Sequence, residues 1–261
     1  MRIKPKKSLG QNFLADKNIV RKIISACGFG PSDMVLEIGA GRGEMTVSIA
    51  GLVKEIHAVE IDSGLSPILV DNLRPFQNAR VINQDILKLD LDGFFKESGG
   101  KIKIFGNIPY YITTPIIEKV FAYRDKIGAA YFTVQKEFAE RIAANPGSKV
   151  YGSFSCFVQY YAVPKILFTI SKSCFSPAPK VDSCLLQLEI RAKPPVMVKD
   201  EKLFFKVIRS AFNKRRKILR NSLKDIVPED RLNDFFLRYN IDPRIRPECF
   251  SLEDFANLSN L

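Results

Sequence analysis

The residues that most directly suggest chemistry are Asn107-Ile108-Pro109-Tyr110, which combine an amide, a rigid turn and an aromatic ring. The exocyclic amine of a nucleobase is a poor nucleophile, because its lone pair is delocalised into the ring. Acceptors that draw its two hydrogens out of the ring plane relocalise that pair, and an Asn oxygen and a main-chain carbonyl are suitable acceptors. Pro109 fixes φ and restricts the preceding residue, while Tyr110 offers a stacking surface. Asn107, the Pro109 carbonyl and Tyr110 are therefore candidate catalytic groups for methylating a nucleobase amine; the alternative is a strand-ending turn with a buried tyrosine.

A glycine-rich turn, Gly39-Ala40-Gly41-Arg42-Gly43, follows a short apolar run and precedes a helical pattern. Backbone N–H groups are free at such a helix start, and a ligand can approach closely. The dinucleotide fingerprint requires Gly or Ala at the sixth position, where this chain has Glu44. A carboxylate there would face a pyrophosphate, which argues against NAD and FAD. S-adenosylmethionine has no pyrophosphate and is compatible with Glu44.

Acidic residues end two later predicted strands. Glu60 lies 21 residues after Gly39, where a carboxylate accepts both ribose hydroxyls of an adenosine, and Asp85 is placed to accept from the adenine amine. The carboxyl ends of parallel strands meet at one edge of a sheet. Gly39, Gly41, Glu60, Asp85 and Asn107 therefore form a candidate S-adenosylmethionine site.

The elements that must position these residues alternate between strand and helix patterns. We predict a helix over 16–27 and strands over Met34–Ile38, Ile56–Ile61, Ala79–Asn83, Lys101–Phe105, Ala129–Val134 and Ser183–Ile190. This alternation predicts an α/β fold with a doubly wound, mostly parallel, Rossmann-like sheet. Lys193-Pro194-Pro195 is interpreted as a linker to a helical tail, so we predict a methyltransferase domain over 1–191 and a small basic helical RNA-binding domain over 192–261.

The charge of the chain indicates a polyanionic partner. The net charge is +12 and the pI is near 9.5, which favours nucleic acid. Between Lys202 and Lys224 there are nine Lys or Arg residues and no Asp or Glu. We interpret this run as a phosphate-binding face, against the alternative of a solvated helix face. Its candidate RNA-binding residues are Lys214, Arg215, Arg216 and Arg220.

Composition argues against several other classes. The five cysteines are widely and irregularly spaced without a CxxC pair, and His57 is the only histidine. No metal site, disulfide framework or Ser-His-Asp hydrolase is expected, and His57 is interpreted as a strand residue. No stretch is apolar enough for a membrane span, and the basic N-terminus lacks the apolar region of a signal peptide, so a cytoplasmic protein is expected.

Four motifs in order resemble one known family. They are Ser8–Leu14 (SLGQNFL), Glu37–Gly41 (EIGAG), Asn107–Tyr111 (NIPYY) and Phe175–Ser183 (FSPAPKVDS), and Ala211–Lys217 (AFNKRRK) follows them. Together they resemble the ribosomal RNA small-subunit adenine dimethyltransferases of the KsgA (RsmA) family, over nearly the whole chain.

The resemblance implies further roles. It implies that Asn12, Leu14, Gly39, Glu60, Asp85 and Asn107 bind S-adenosylmethionine, with the N-terminal segment folding over it. It also implies that Phe175 stacks on the target base opposite Tyr110. The implied reaction is dimethylation of the 6-amino groups of two adjacent adenosines in a hairpin loop near the 3′ end of 16S rRNA. The implied partner is a partly assembled 30S-type subunit, whose maturation the enzyme assists as a monomer.

Three alternatives remain at this point. A large-subunit rRNA methyltransferase of the macrolide-resistance type would share much of this architecture. A DNA or other-RNA adenine methyltransferase would share the chemistry, but a DNA enzyme would need a base-reading domain, for which residues 192–261 are short. A non-catalytic ribosome-assembly factor would bind the same RNA, but the intact Glu60, Asp85 and Asn107 argue against lost activity.

Overall fold

The structure is a computed structural model that describes residues 5, 6, 9–98, 100–213 and 218–261, and for residues 96–98 only the backbone. Ser8 and the candidate RNA-binding residues Lys214, Arg215 and Arg216 lie outside the described residues. The strands are β1 (Phe13–Leu14), β2 (Met34–Ile38), β3 (Glu55–Val59), β4 (Ala79–Ile82), β5 (Ile102–Asn107), β6 (Ile127–Gln135), β7 (Ala162–Ile170), β8 (Phe175–Ser176) and β9 (Ser183–Ile190). The helices are α1 (Lys17–Cys27), α2 (Glu44–Ala50), α3 (Ser66–Leu73), α4 (Leu91–Ser98), α5 (Thr113–Ala122), α6 (Lys136–Ile142), α7 (Ser153–Tyr161), α8 (Glu201–Asn213), α9 (Leu219–Leu223), α10 (Glu229–Arg238) and α11 (Leu252–Ser259).

A seven-stranded sheet of order β4-β3-β2-β5-β6-β9-β7 forms the centre of the fold. The pairs β3–β4, β2–β3, β2–β5 and β5–β6 are parallel, and β6–β9 is antiparallel. From β2 the chain moves outward through β3 and β4, and then returns to build β5 and β6 on the other side. The predicted doubly wound, mostly parallel α/β sheet is confirmed. Ligands of such sheets bind beyond the carboxyl ends of the strands at the reversal, here β2 and β5.

The sequence explains the local elements around this reversal. All five residues of β2 are buried, as expected for a central parallel strand covered on both faces. In α1 the buried residues recur at helical spacing, at Val20, Ile23, Ile24 and Cys27. The helix begins after Asp16, whose side chain accepts hydrogen bonds from the N–H groups of residues 18 and 19. The helix predicted over 16–27 is therefore confirmed.

All the predicted strands are present, β2 and β9 with the predicted ends and the other four with shifted ends, and two features were missed. Strand β7 lies at the sheet edge with a partly exposed pattern and contains Pro164, which sheets tolerate mainly at edges. The two-stranded ribbon of β1 and β8 is antiparallel and only two residues long on each side, too short for any periodicity. His57 lies in β3 as predicted, and its Nε2 is 2.8 Å from Glu55 Oε1.

The chain forms two compact units. The first comprises Met1–Ala139 and Lys165–Ile190, and the second comprises Glu140–Pro164 and Arg191–Leu261. Residues 140–164 therefore group with the C-terminal helices, whereas the predicted linear division falls at residue 191. The second unit has an aromatic core that includes Tyr151, Phe204 and Phe250. Its assignment to RNA binding stays a prediction.

No helix in the described part of the chain has both the length and the hydropathy needed to cross a bilayer.

Candidate active site

One cleft lies at the carboxyl ends of the central strands and collects most of the predicted site residues. Those that line it are Asn12, Gly39, Gly41, Glu60, Asp85, Asn107, Pro109 and Tyr110. They lie at or just after the carboxyl ends of four different strands, β2, β3, β4 and β5, and in the N-terminal segment. The parallel sheet brings them together because it places all four of these strand ends at one edge.

The glycine turn forms the floor of this cleft. Gly39 and Gly41 have φ values of +75° and +61°, a region that glycine adopts readily and other residues rarely. The N–H groups of Gly39 and Ala40 donate to the Val59 carbonyl at 2.9 and 3.2 Å, which fixes the turn against β3. A Cβ on Gly41 would lie 3.1 Å from the Phe13 ring. The turn therefore needs glycine both for its backbone and for space.

Glu60 is held by the backbone on both carboxylate oxygens. Its Oε2 accepts from Gly41 N–H at 2.7 Å, and its Oε1 accepts from Asp62 N–H at 2.8 Å. Burial raises the pKa of Glu60, although these backbone donors act in the opposite direction. Each oxygen retains further acceptor capacity, so the group is a fixed, doubly accepting site for hydroxyl donors.

Asp62, two residues after Glu60, binds the N-terminal segment through a group of hydrogen bonds, here called the latch. Its buried carboxylate accepts from Lys6 Nζ at 2.6 Å, from Gln11 Nε2 at 2.9 Å and from Gly64 N–H at 2.9 Å. Lys6 N–H in turn donates to Gln11 Oε1 at 2.7 Å. Burial alone would raise the pKa of Asp62, but these hydrogen bonds bring it below its usual value. Sequence reasoning missed this latch, because nothing in the sequence links residue 6 to residue 62.

The Asn107 amide is oriented by two partners. Its Nδ2 donates to the Asn12 carbonyl at 2.9 Å, and its Oδ1 accepts from the Thr133 hydroxyl. Thr133 is fully buried in β6 and lies opposite Asn107 in the β5–β6 register. Oδ1 keeps a second acceptor position. The orientation of the Asn107 amide is therefore defined, with Oδ1 toward Thr133 and Nδ2 toward Asn12. The sequence alone does not specify this orientation.

The two carbonyls after Asn107 differ in their hydrogen bonding. The Pro109 carbonyl accepts from Ile112 N–H at 3.2 Å within the 3₁₀ turn Tyr110–Ile112. The Ile108 carbonyl accepts no hydrogen bond from the described residues, and Ile108 lines the cleft. The Ile108 carbonyl is thus a second candidate main-chain acceptor beside that of Pro109.

Tyr110 is anchored at its hydroxyl. Its oxygen and Ser183 Oγ are 2.7 Å apart, and Ser183 is buried at the start of β9. Burial raises the pKa of Tyr110, so its hydroxyl stays protonated near neutrality. The contact joins the NIPYY motif to the last residue of the FSPAPKVDS motif.

Leu14 and Phe175 do not line the cleft. Both side chains are buried in the core, where β1 and β8 pair with Leu14 opposite Phe175. Their predicted contacts with cofactor and base stay predictions, and in this structure they support the segment that carries Asn12.

Arg220 is the one candidate RNA-binding residue that falls within the described ranges. Its guanidinium donates to Glu229 Oε1 at 2.6 Å. Its predicted contact with phosphate stays a prediction and would compete with this ion pair.

Three of the other residues that line the cleft directly follow predicted site residues. Ile61 and Ile86 directly follow Glu60 and Asp85, and Tyr111 follows Tyr110. Apolar surface beside fixed acceptors is the usual lining of a nucleoside pocket. Sequence reasoning did not name these residues, although their positions next to predicted site residues could have indicated them.

The fold and the cleft define a Rossmann-like methyltransferase. The chain matches the ribosomal RNA adenine dimethylase family over residues 2–261, and it belongs to that family of enzymes.

Comparison with known proteins agrees with this assignment. The chain is 44% identical to ribosomal RNA small subunit methyltransferase A of Caldanaerobacter subterraneus subsp. tengcongensis, over 99% of this chain and 97% of the relative. The crystal structure of a dimethyladenosine transferase from Plasmodium falciparum matches with a TM-score of 0.80 and 26% identity, over 94% of this chain and 95% of the other. The crystal structure of the 23S rRNA methyltransferase ErmE matches with a TM-score of 0.77 and 23% identity, over 95% of this chain and 98% of the other. This likeness concerns the fold alone.

Proposed function

We propose that this chain uses S-adenosylmethionine to dimethylate the 6-amino groups of two adjacent adenosines in a hairpin loop near the 3′ end of small-subunit rRNA. The observation that carries the proposal is the oriented amide of Asn107 in the same cleft as Glu60 and Asp85. One cleft thus holds both an acceptor for a nucleobase amine, Asn107, and two carboxylates that can bind a nucleoside, Glu60 and Asp85.

The chemistry of the cleft fits the proposed cofactor. Glu60 would accept the ribose hydroxyls, Asp85 the adenine amine, and Gly39, Gly41 and Asn12 would border the rest, with Leu14 supporting the segment from behind. No lysine or arginine is among the described residues that line the cleft, which suits a cationic cofactor and not a pyrophosphate. When bound, the cofactor supplies an electrophilic methyl group.

The chain's own residues would prepare the nucleophile. The target adenine leaves its stack, and the Tyr110 ring supports it. Asn107 Oδ1 and a carbonyl of the Ile108–Pro109 turn would accept its two N–H groups and so relocalise the lone pair. Phe175 would reach the opposite face only after leaving its buried position. No strong base is required because the product ammonium loses its proton to water, and positioning supplies most of the rate.

The RNA would be held by charge outside the cleft. Lys214, Arg215, Arg216 and Arg220 are the proposed phosphate contacts, and the net charge of +12 supports a polyanionic partner. The proposed substrate is a partly assembled 30S-type subunit in the cytoplasm, bound by a monomer and matured by the modification. The 44% identity to a ribosomal RNA small subunit methyltransferase A favours the small subunit over the large-subunit alternative.

The test is mass spectrometry of nucleosides from undermethylated small subunits after incubation with the protein and labelled S-adenosylmethionine. Dimethyladenosine at two adjacent positions near the rRNA 3′ end is expected. Label confined to large-subunit RNA would favour the resistance-type enzyme, and tight subunit binding without label would favour an assembly factor. The Asn107→Ala variant should lose methylation far more than RNA binding, and equal loss of both would contradict its assigned role.

A further inference from the structure

Tyr111 is an exposed aromatic residue at the cleft that the catalytic assignment does not use. It directly follows Tyr110 in the 3₁₀ turn, and 63% of its surface is exposed. Its hydroxyl has no hydrogen-bond partner among the described residues, whereas the Tyr110 hydroxyl is bonded to Ser183. Tyr111 therefore contributes little to the fold and presents a large aromatic surface beside the catalytic turn.

The N-terminal segment supports this ring along one edge. A Cβ on Gly10 would lie 3.3 Å from Tyr111 Cε1 and 3.4 Å from its Cδ1, and Gly10 has a φ of +60°. A glycine at position 10 thus leaves room for the ring. The close atoms lie on one side of the ring and 63% of the residue is exposed, so aromatic surface remains accessible to a planar ligand.

We infer that Tyr111 is a second base-binding position, which stacks the nucleobase next to the one held at Tyr110. The inference rests on the proposed function. Single-stranded RNA is bound largely by stacking on aromatic side chains. The Tyr110 hydroxyl is bonded to the buried Ser183, whereas Tyr111 is exposed. Tyr110 therefore holds the base that enters the cleft, and Tyr111 holds the neighbouring base outside it.

The charge of the cleft strengthens this argument. No lysine or arginine is among its described lining residues, so phosphate neutralisation does not hold RNA at this point. Stacking is the interaction that the lining does offer. A substrate with two adjacent target adenosines always presents the second base one nucleotide from the first. Tyr111 then holds the neighbour during the first modification and retains the RNA for the second.

The test compares Tyr111→Leu with Tyr111→Phe on undermethylated small subunits. Leu keeps apolar volume without the ring, and Phe keeps the ring. Stacking on one base corresponds to about a 5- to 150-fold change in affinity. We expect Tyr111→Leu to raise the KM for subunits within this range, with kcat nearly unchanged, and to release more RNA modified at only one adenosine. Tyr111→Phe should behave like the wild type.

Controls separate this inference from the proposed function and from folding. The unfolding temperature should be unchanged in Tyr111→Leu, because the residue is exposed, and saturating cofactor removes any effect of the change on cofactor binding. Val70→Ala, which alters a residue 45% exposed in α3, should leave KM unchanged. An active wild type with an unaltered KM and product ratio in Tyr111→Leu would overturn the inference alone. A wild type inactive on small subunits would overturn the proposed function, and the inference with it.

Discussion

Replacing Thr133 with Val tests whether a buried hydroxyl orients the amide of Asn107, the proposed catalytic group. Valine has nearly the shape of threonine but donates no hydrogen bond. The change leaves Asn107 Oδ1 without its donor and keeps the hydrogen bond from Nδ2 to the Asn12 carbonyl. The amide can then rotate more easily, which would turn its NH₂ group toward the substrate amine. An NH₂ group cannot accept a hydrogen bond, so that orientation is inactive.

The magnitude follows from one buried neutral hydrogen bond. Such a bond contributes about 0.5–1.5 kcal/mol net, and an acceptor left unpaired costs about 1–3 kcal/mol. Oδ1 faces a cleft and can recruit water, so we expect about 1 kcal/mol of lost stability, or roughly 2–4 °C in Tm for a chain of this size. A loss of about 1 kcal/mol in orientation lowers kcat about 5-fold. The KM for RNA should be unchanged, because the RNA contacts proposed outside the cleft are intact.

The assay is single-turnover methylation at saturating cofactor and subunit, with Thr133→Ser as the matched control. Serine keeps the donor and should restore most of the rate. In the Asn107→Ala background, Thr133→Val should have no further effect, because residues that act through one another are not additive. Wild-type kcat in Thr133→Val would refute the reasoning. An undiminished effect in the Asn107→Ala background would show that Thr133 acts elsewhere.

Three other perturbations test the remaining contacts. Asp62→Asn should weaken cofactor binding by calorimetry, because it removes the charge that holds Lys6; an unchanged affinity would exclude a role for the latch. The pKa of Asp62 is lower in the folded state than in the unfolded state, so its contribution to the free energy of unfolding is full above the unfolded-state pKa and is lost as pH falls through the folded-state pKa. The free energies of unfolding of wild type and variant, measured by urea titration, should therefore converge in acid. Gly106→Ala would place a Cβ 2.9 Å from the Ile38 carbonyl and 2.8 Å from Ile108 Cγ2, so we expect about 1–3 kcal/mol of destabilisation and a displaced Asn107. Gly93→Ala in α4, where a Cβ would meet nothing within 4 Å, is the control and should be neutral or slightly stabilising. Burial raises the pKa of Glu37 from 4.5 to about 8, so wild-type stability should fall as pH rises through that window, by up to about 1.4 kcal/mol per pH unit. Glu37→Gln should remove this slope, and a slope that persists would assign it to other groups.

Much of the site was predictable because its residues follow strands. Gly39, Glu60, Asp85 and Asn107 each come at or just after the carboxyl end of a strand, and a parallel sheet places such ends together. The edge strand β7 was not predictable by the same logic. Buried and exposed residues alternate only weakly along β7 because the strand is only partly buried. Pro164 is as typical of a turn as of an edge strand.

The sequence by itself determined the family, the parallel sheet and the polar residues of the cleft that follow the central strands. These depend on local patterns: glycines where φ is positive, apolar runs that form buried strands, and motifs of a few adjacent residues. The tertiary structure alone decided which partners these residues have. It joined Thr133 to Asn107 and Lys6 to Asp62, residues 26 and 56 positions apart, and it buried Leu14 and Phe175 in the core. Such pairings depend on strand register and on the packing of distant segments, which no local pattern in the sequence encodes.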